Sequence, residues 1–169
     1  MLIDCSYFID GPRHIQNATL SKLPNPNAEE VNASIKAYIK MCQRPFLKGV
    51  LGAPVAGAVI AYLKLIDKDE SEERDLELDM VIEQLREPFA NYVFYKILRD
   101  SNSQATMTGL VRLKCANDYV APIRRQVSTW NDMVDMIADF SIWCRSSDCH
   151  VSGITTESNF LTKINSLNL

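Results

Sequence analysis

The sequence predicts a mainly α-helical fold: a helical bundle of four to five helices with a small β-hairpin and extended terminal arms. Three observations lead there. Apolar residues recur at helical spacing in several long windows between residues 28 and 145. Prolines and glycines punctuate the chain between those windows. The period changes once, around residues 106–114, and neither chain end sustains any period. The organisation that follows is an N-terminal arm over residues 1–27, a helical domain over 28–145 and a C-terminal arm over 146–169.

The stretch Ser6 to Leu23 mixes short apolar groups with Gly11, Pro12 and Asn17, and reads as an extended arm with one short strand at Ser6–Ile9. The run Leu23-Pro24-Asn25-Pro26-Asn27 is a stop, because proline lacks an N–H and restricts the residue before it. A first helix follows, with Asn27 as its cap and Glu30 three residues on. Val31, Ile35, Tyr38, Ile39 and Cys42 share one face of it. Pro45 is expected to end or kink this helix, with Phe46, Leu47, Val50 and Leu51 continuing the apolar surface as far as a Gly52 cap.

Pro54 suits the first position of the next helix, which runs to about Ile66 and is rich in alanine and valine. The acidic run Asp67–Arg74 reads as a loop or a frayed helix start. A long helix is expected over Asp75 to Arg99, kinked at Pro88. Its segment Tyr92-Val93-Phe94-Tyr95 is apolar or aromatic all round, which marks the centre of the core. Met107, Leu110, Val111 and Leu113 surround Gly109 without helical spacing and suggest a short strand or hairpin. The last helix is expected over Pro122 to Cys144, burying Ile123, Val127, Trp130, Val134 and Ile137. Beyond Arg145 the chain is rich in Ser, Thr and Asn, with Phe160, Leu161, Ile164 and Leu167 as apolar anchors.

Composition narrows the function. With 169 residues and 47% apolar content, the chain can bury a real core without a metal or disulfide staple. The net charge of -3 argues against a dedicated nucleic-acid binder, which carries a basic surplus to neutralise phosphates. The apolar stretch around Gly49–Ile66 is too broken by Gly, Pro and Lys64 to span a membrane. Five irregularly spaced cysteines, with no secretory signal ahead of them, read as free thiols in a reducing compartment.

No catalytic or cofactor motif emerges. Cys144, Cys149 and His150 lie close together, but structural zinc takes four ligands, and Cys5, Cys42, Cys115 and His14 supply no second spaced pair. Gly49-x-x-Gly52 lacks the lysine and hydroxyl of a phosphate loop and reads as a helix end. The acidic residues from Asp67 to Asp79 lack the central glycine of a calcium loop. Neither His14 nor His150 neighbours a nucleophile turn. We therefore expect no enzyme, cofactor or metal.

Two features suggest partners. Arg112, Lys114, Arg124 and Arg125 form a basic cluster, and two adjacent arginines at a helix start oppose the helix dipole. The arms carry apolar groups, Phe160, Leu161 and Ile164 among them, which fold back on their own domain or dock on a neighbour.

The motifs Ala33-x-x-x-Ala37-Tyr38-Ile39 and Phe46-Leu47-x-x-x-Leu51-Gly52 precede a second, Ala-rich helix. Together with Ala90-Asn91-Tyr92-Val93-Phe94-Tyr95 and Thr106-Met107-Thr108-Gly109-Leu110-Val111, this layout resembles the head–tail connector (adaptor) proteins of tailed phages. More specifically it resembles uncharacterised phage and prophage proteins of Bacteroidales. The resemblance covers about residues 28–145. It implies a non-enzymatic virion assembly protein that forms a homo-oligomeric ring, docks on the portal and offers a surface to tail proteins. It places the chain in the bacterial host cytoplasm during assembly and then in the virion, with a C-terminal segment docking on the portal. The alternative expectation is a nucleic-acid-binding regulatory protein using the Arg112–Arg125 cluster.

Overall fold

The structure is a computed structural model. It describes residues 1–21, 25–67, 74–100, 103–106, 109–112, 123–146 and 148–167, with no side-chain description for 103–112. The described residues are mainly helical and form four α-helices: α1 (Pro26–Leu51), α2 (Ala53–Asp67), α3 (Leu76–Asp100) and α4 (Ile123–Trp143). Between α3 and α4, β1 (Ser103–Thr106) and β2 (Gly109–Arg112) pair antiparallel. In the bundle α1 packs on both α2 and α3, and α3 packs along α4.

Helix α1 begins two residues earlier than the Asn27 cap implies. Asn25 is extended and its side chain accepts the Ala28 N–H, so Pro26 takes the first helical position. Proline loses nothing there, since the first N–H of a helix has no intrahelical partner. Pro45 does not end the helix, which runs on to Leu51. The buried residues Cys42, Phe46, Leu47, Val50 and Leu51 straddle the proline. Each buried apolar side chain stabilises by about 1.5–3 kcal/mol, which together outweighs the ~3 kcal/mol cost of an internal proline. The carbonyl that Pro45 frees belongs to Met41, a residue 58% exposed, so water can satisfy it. Pro88 likewise sits inside α3, and the residue four before it, Gln84, is exposed.

Gly52, at φ 78°, turns the chain between α1 and α2. Its N–H caps the Lys48 carbonyl at 3.0 Å, while its own carbonyl accepts the Ala56 N–H at 3.0 Å. The start of α3 is fixed by Asp75, whose carboxylate accepts the Glu77 and Leu78 N–H groups at 3.1 Å each. Tyr62 of α2 locks this corner: its hydroxyl donates to Asp79 and accepts from the Asp75 N–H, both at 3.0 Å. In the second half of α3, six consecutive residues from Phe89 to Phe94 are buried, as a segment apolar on all sides requires.

The buried face of α4 matches the expected one at Val134 and Ile137 and differs from it in the first half of the helix. Gln126, Thr129, Met133, Val134, Ile137 and Phe140 point inward, whereas Ile123 is 36% exposed and Val127 and Trp130 are half-buried. Trp130 stands at the rim because its indole N–H needs an acceptor, found in the Thr162 carbonyl at 3.0 Å.

The N-terminal strand expected at Ser6–Ile9 is instead a 3-10 helix, Cys5–Phe8. Asp4 caps it by accepting the Ser6 N–H at 2.8 Å, a local bond that overrides the weak alternation. Leu2, Ile3, Cys5 and Phe8 are buried in the same core as the helices. A second 3-10 turn, Gly11–Arg13, docks through Arg13, which donates to Asn91 at 2.9 Å and to Glu87 at 2.6 Å.

Candidate interaction site

The last turn of α1 sets up the site. The final four carbonyls of a helix have no intrahelical donor. In α1 the first of them, Lys48, is capped by Gly52, and the other three are met by the C-terminal segment. The Glu157 N–H donates to the Gly49 carbonyl at 2.8 Å, the Thr156 hydroxyl to Val50 at 2.9 Å and the Thr155 N–H to Leu51 at 3.3 Å. A segment without regular structure thus completes a helix more than a hundred residues away.

Beside these bonds lies a slot for one side chain. Gly49 is buried within α1, and Phe160, on the 3-10 turn Ser158–Leu161, lies over it. The Phe160 ring meets Phe46 edge-on at 5.8 Å, Tyr92 at 5.6 Å and Trp130 at 6.3 Å. Such pairs add about 0.5–1.5 kcal/mol each beyond simple burial. Burial, then the nearby Cys42, pushes the Tyr92 hydroxyl up to about 12. Lys96 lays its ammonium over the Tyr92 ring at 5.1 Å, and burial lowers its pKa from the usual lysine value.

Farther along, α4 grips the segment by its backbone. The Asn131 amide donates to the Ile164 carbonyl at 3.0 Å and accepts the Ile164 N–H at 2.9 Å. Lys163 pairs with Asp135 at 2.7 Å on the exposed rim. A cleft of about 280 Å³ remains between α4 and the segment, lined in part by Ser141, Cys144, Val151 and Leu161. Burial, then the neighbouring Cys149, pushes the Cys144 thiol up to about 12.

The residues expected to bind partners are distributed as follows. Phe160 is only 5% exposed and sits in its own core, Ile164 is half-buried in the Asn131 clamp, and Leu161 is 44% exposed. Lys114 lies outside the described residues, and of Arg112 only the strand backbone is described. Arg124 is exposed in the first turn of α4. Arg125 is also exposed; its guanidinium stacks 4.7 Å over the Phe94 ring and donates to the Pro12 carbonyl. Of the four expected cations, the described residues thus show the side chains of Arg124 and Arg125 only, adjacent and both exposed.

Gly49 and Asn131 were given no binding role by sequence reasoning, and Trp130 was expected only as a buried residue of the last helix. Gly49 left a trace as a glycine inside an otherwise apolar helix end. Cys5, Cys42, Cys144 and Cys149 are free thiols, while Cys115 lies outside the described residues. Among the described residues, no three His, Cys, Asp or Glu side chains are grouped to hold a metal, and no helix is long and apolar enough to cross a membrane. His14 and His150 are both exposed. No protein-family model, curated protein or solved structure matches the chain.

Proposed function

We propose that the protein is a non-enzymatic assembly protein, a head–tail connector of a phage or prophage that forms a homo-oligomeric ring, docks on the portal and receives tail proteins. The motifs of residues 28–145 support this reading through their resemblance to that group. The observation that carries it on the structural side is the seated C-terminal segment. That segment is held by a helix end, an aromatic slot and a backbone clamp, and bridges α1 to α4. Exposed Leu76 and Met80, one turn apart on α3 at 72% and 40%, add apolar surface suited to a protein partner. On this reading the protein resides in the host cytoplasm during assembly and then in the virion.

Copurification with the cognate portal protein tests the proposal. A complex that survives gel filtration is the expected result. A protein that elutes apart from its portal at every concentration contradicts it. The other reading, a nucleic-acid-binding regulator, rests on Arg112, Lys114, Arg124 and Arg125. A missing DNA shift at low salt would remove it.

A further inference from the structure

We propose that the cleft where α1, α3, α4 and the C-terminal segment meet binds a nucleotide that carries a phosphate monoester, with its base against Trp130 and its phosphate on Lys48 and Lys96. The site needs only one folded chain and so stands apart from the connector reading.

The cleft has a volume of about 400 Å³, within the range of small-molecule pockets. Four elements build it: Lys48 comes from α1, Tyr92 and Lys96 from α3, Trp130 from α4, and Glu157 and Phe160 from the segment. The site is therefore complete only while the segment is seated.

Lys96 is the residue that calls for an anion. Its side chain is half-buried and its ammonium lies 5.1 Å over the Tyr92 ring. Nearby Asp100 is already engaged, by the Arg99 guanidinium at 3.0 Å and the Tyr38 hydroxyl at 3.3 Å. Among the described residues no carboxylate forms an ion pair with Lys96. Burial, then the Arg99 charge, disfavours the ammonium in this setting. A cation taken part-way out of water without a counter-ion costs free energy that an anion would return. Lys48, exposed at the rim of the same cleft, has no ion pair among the described residues either.

The rest of the lining selects the kind of anion. Two ammonium groups match the charge of close to -2 on a phosphate monoester, whereas a carboxylate carries a single charge. Trp130 lies 6.4 Å from the Tyr92 ring and 4.9 Å from that of Tyr95, and an aromatic wall of this kind is a stacking surface for a base. Glu157 brings a carboxylate into the cleft, which disfavours a bare anion and favours a ligand with an N–H donor. The exocyclic amine of adenine is such a donor.

Trp143→Phe protein, in which Trp130 is the remaining tryptophan, reports the stacking by its fluorescence. The probes are adenosine monophosphate, adenosine and inorganic phosphate. Adenosine monophosphate should quench Trp130 saturably with a Kd of about 1 mM or below, and adenosine and inorganic phosphate should each bind at least about tenfold more weakly. Lys96→Gln should weaken binding about tenfold, the loss of one charge-assisted hydrogen bond, and Lys96→Arg should restore most of it. Lys48→Gln, a change at an exposed position that leaves the fold intact, should weaken binding as well. An oligodeoxyadenylate with a terminal phosphate separates the two sources of the ligand: tighter binding than the mononucleotide assigns the cleft to a strand end, and weaker binding assigns it to the free nucleotide. Absence of saturable quenching by either overturns the site. Adenosine binding as tightly as its monophosphate, or Lys96→Gln and Lys48→Gln leaving the affinity unchanged, overturns the role of the two lysines.

Discussion

Phe160 packs against Gly49 so closely that a Cβ placed on Gly49 would stand 2.1 Å from the ring's Cε2 atom. The absence of one methyl group at position 49 is what admits the C-terminal segment to the core.

Gly49→Ala therefore forces the ring out of its slot or displaces the helix. Two further ring atoms, Cδ2 at 2.8 Å and Cζ at 3.0 Å, leave no direction for small relief. Overpacking of this kind costs about 1–3 kcal/mol, read as a lower denaturant midpoint. Gly57→Ala is the comparison: nothing lies within 4 Å of its added Cβ, and the residue is exposed inside α2. That substitution should stabilise by about 0.5–1 kcal/mol.

Phe160→Ala empties the slot. A buried phenylalanine truncated to alanine costs about 3–5 kcal/mol. Trp130 and Trp143 are the two tryptophans, so a Trp143→Phe background isolates the signal of Trp130. Its emission should shift to longer wavelength when Phe160 is removed, because water then reaches the indole. An unchanged spectrum and midpoint would mean the segment is not seated.

Tyr92 makes stability depend on alkaline pH. Its folded-state value, pushed up to about 12, lies above the usual tyrosine value near 10. A raised folded value means that folding favours the neutral phenol. Its contribution is complete below about pH 10 and is lost as pH rises towards 12. Tyr92→Phe should flatten that part of the decline in urea midpoint, although Tyr62, also raised by burial, keeps some of it.

Cys144 reports on the seating of the C-terminal segment. With its thiol pushed up to about 12, little thiolate is present at pH 8, so alkylation by iodoacetamide should be slow in the folded protein. Its cleft is closed by Val151, Ile154 and Leu161 of the segment. Phe160→Ala should accelerate the alkylation severalfold. Equal rates in the two proteins, measured by peptide mass, would separate the cleft from the seating of the segment.

The helices were legible because their apolar spacing is sustained: the starts and ends of α2, α3 and α4 fall within one residue of the expected ones. Of the two readings of Pro45, the helix end was the wrong one: the local cost of the proline is real, but it yields to a buried stripe that continues on both sides. On α4, Val134 and Ile137 are buried as expected, but size drew attention to Trp130 while the smaller polar Gln126 and Thr129 took the interior. In the C-terminal segment, Phe160 and Ile164 were visible as anchors, but their partners were not. The fit of Phe160 to Gly49 joins residues 111 positions apart (160 − 49), and no local pattern encodes such a pairing.

The most direct test of the central claim is the solution mass by light scattering, measured over a wide range of concentration. An assembly protein of this kind should rise from the 19.1 kDa chain mass to a defined multiple of it, alone or on addition of its portal. A mass fixed at that of one chain at every concentration, with and without the portal, would contradict the assembly reading.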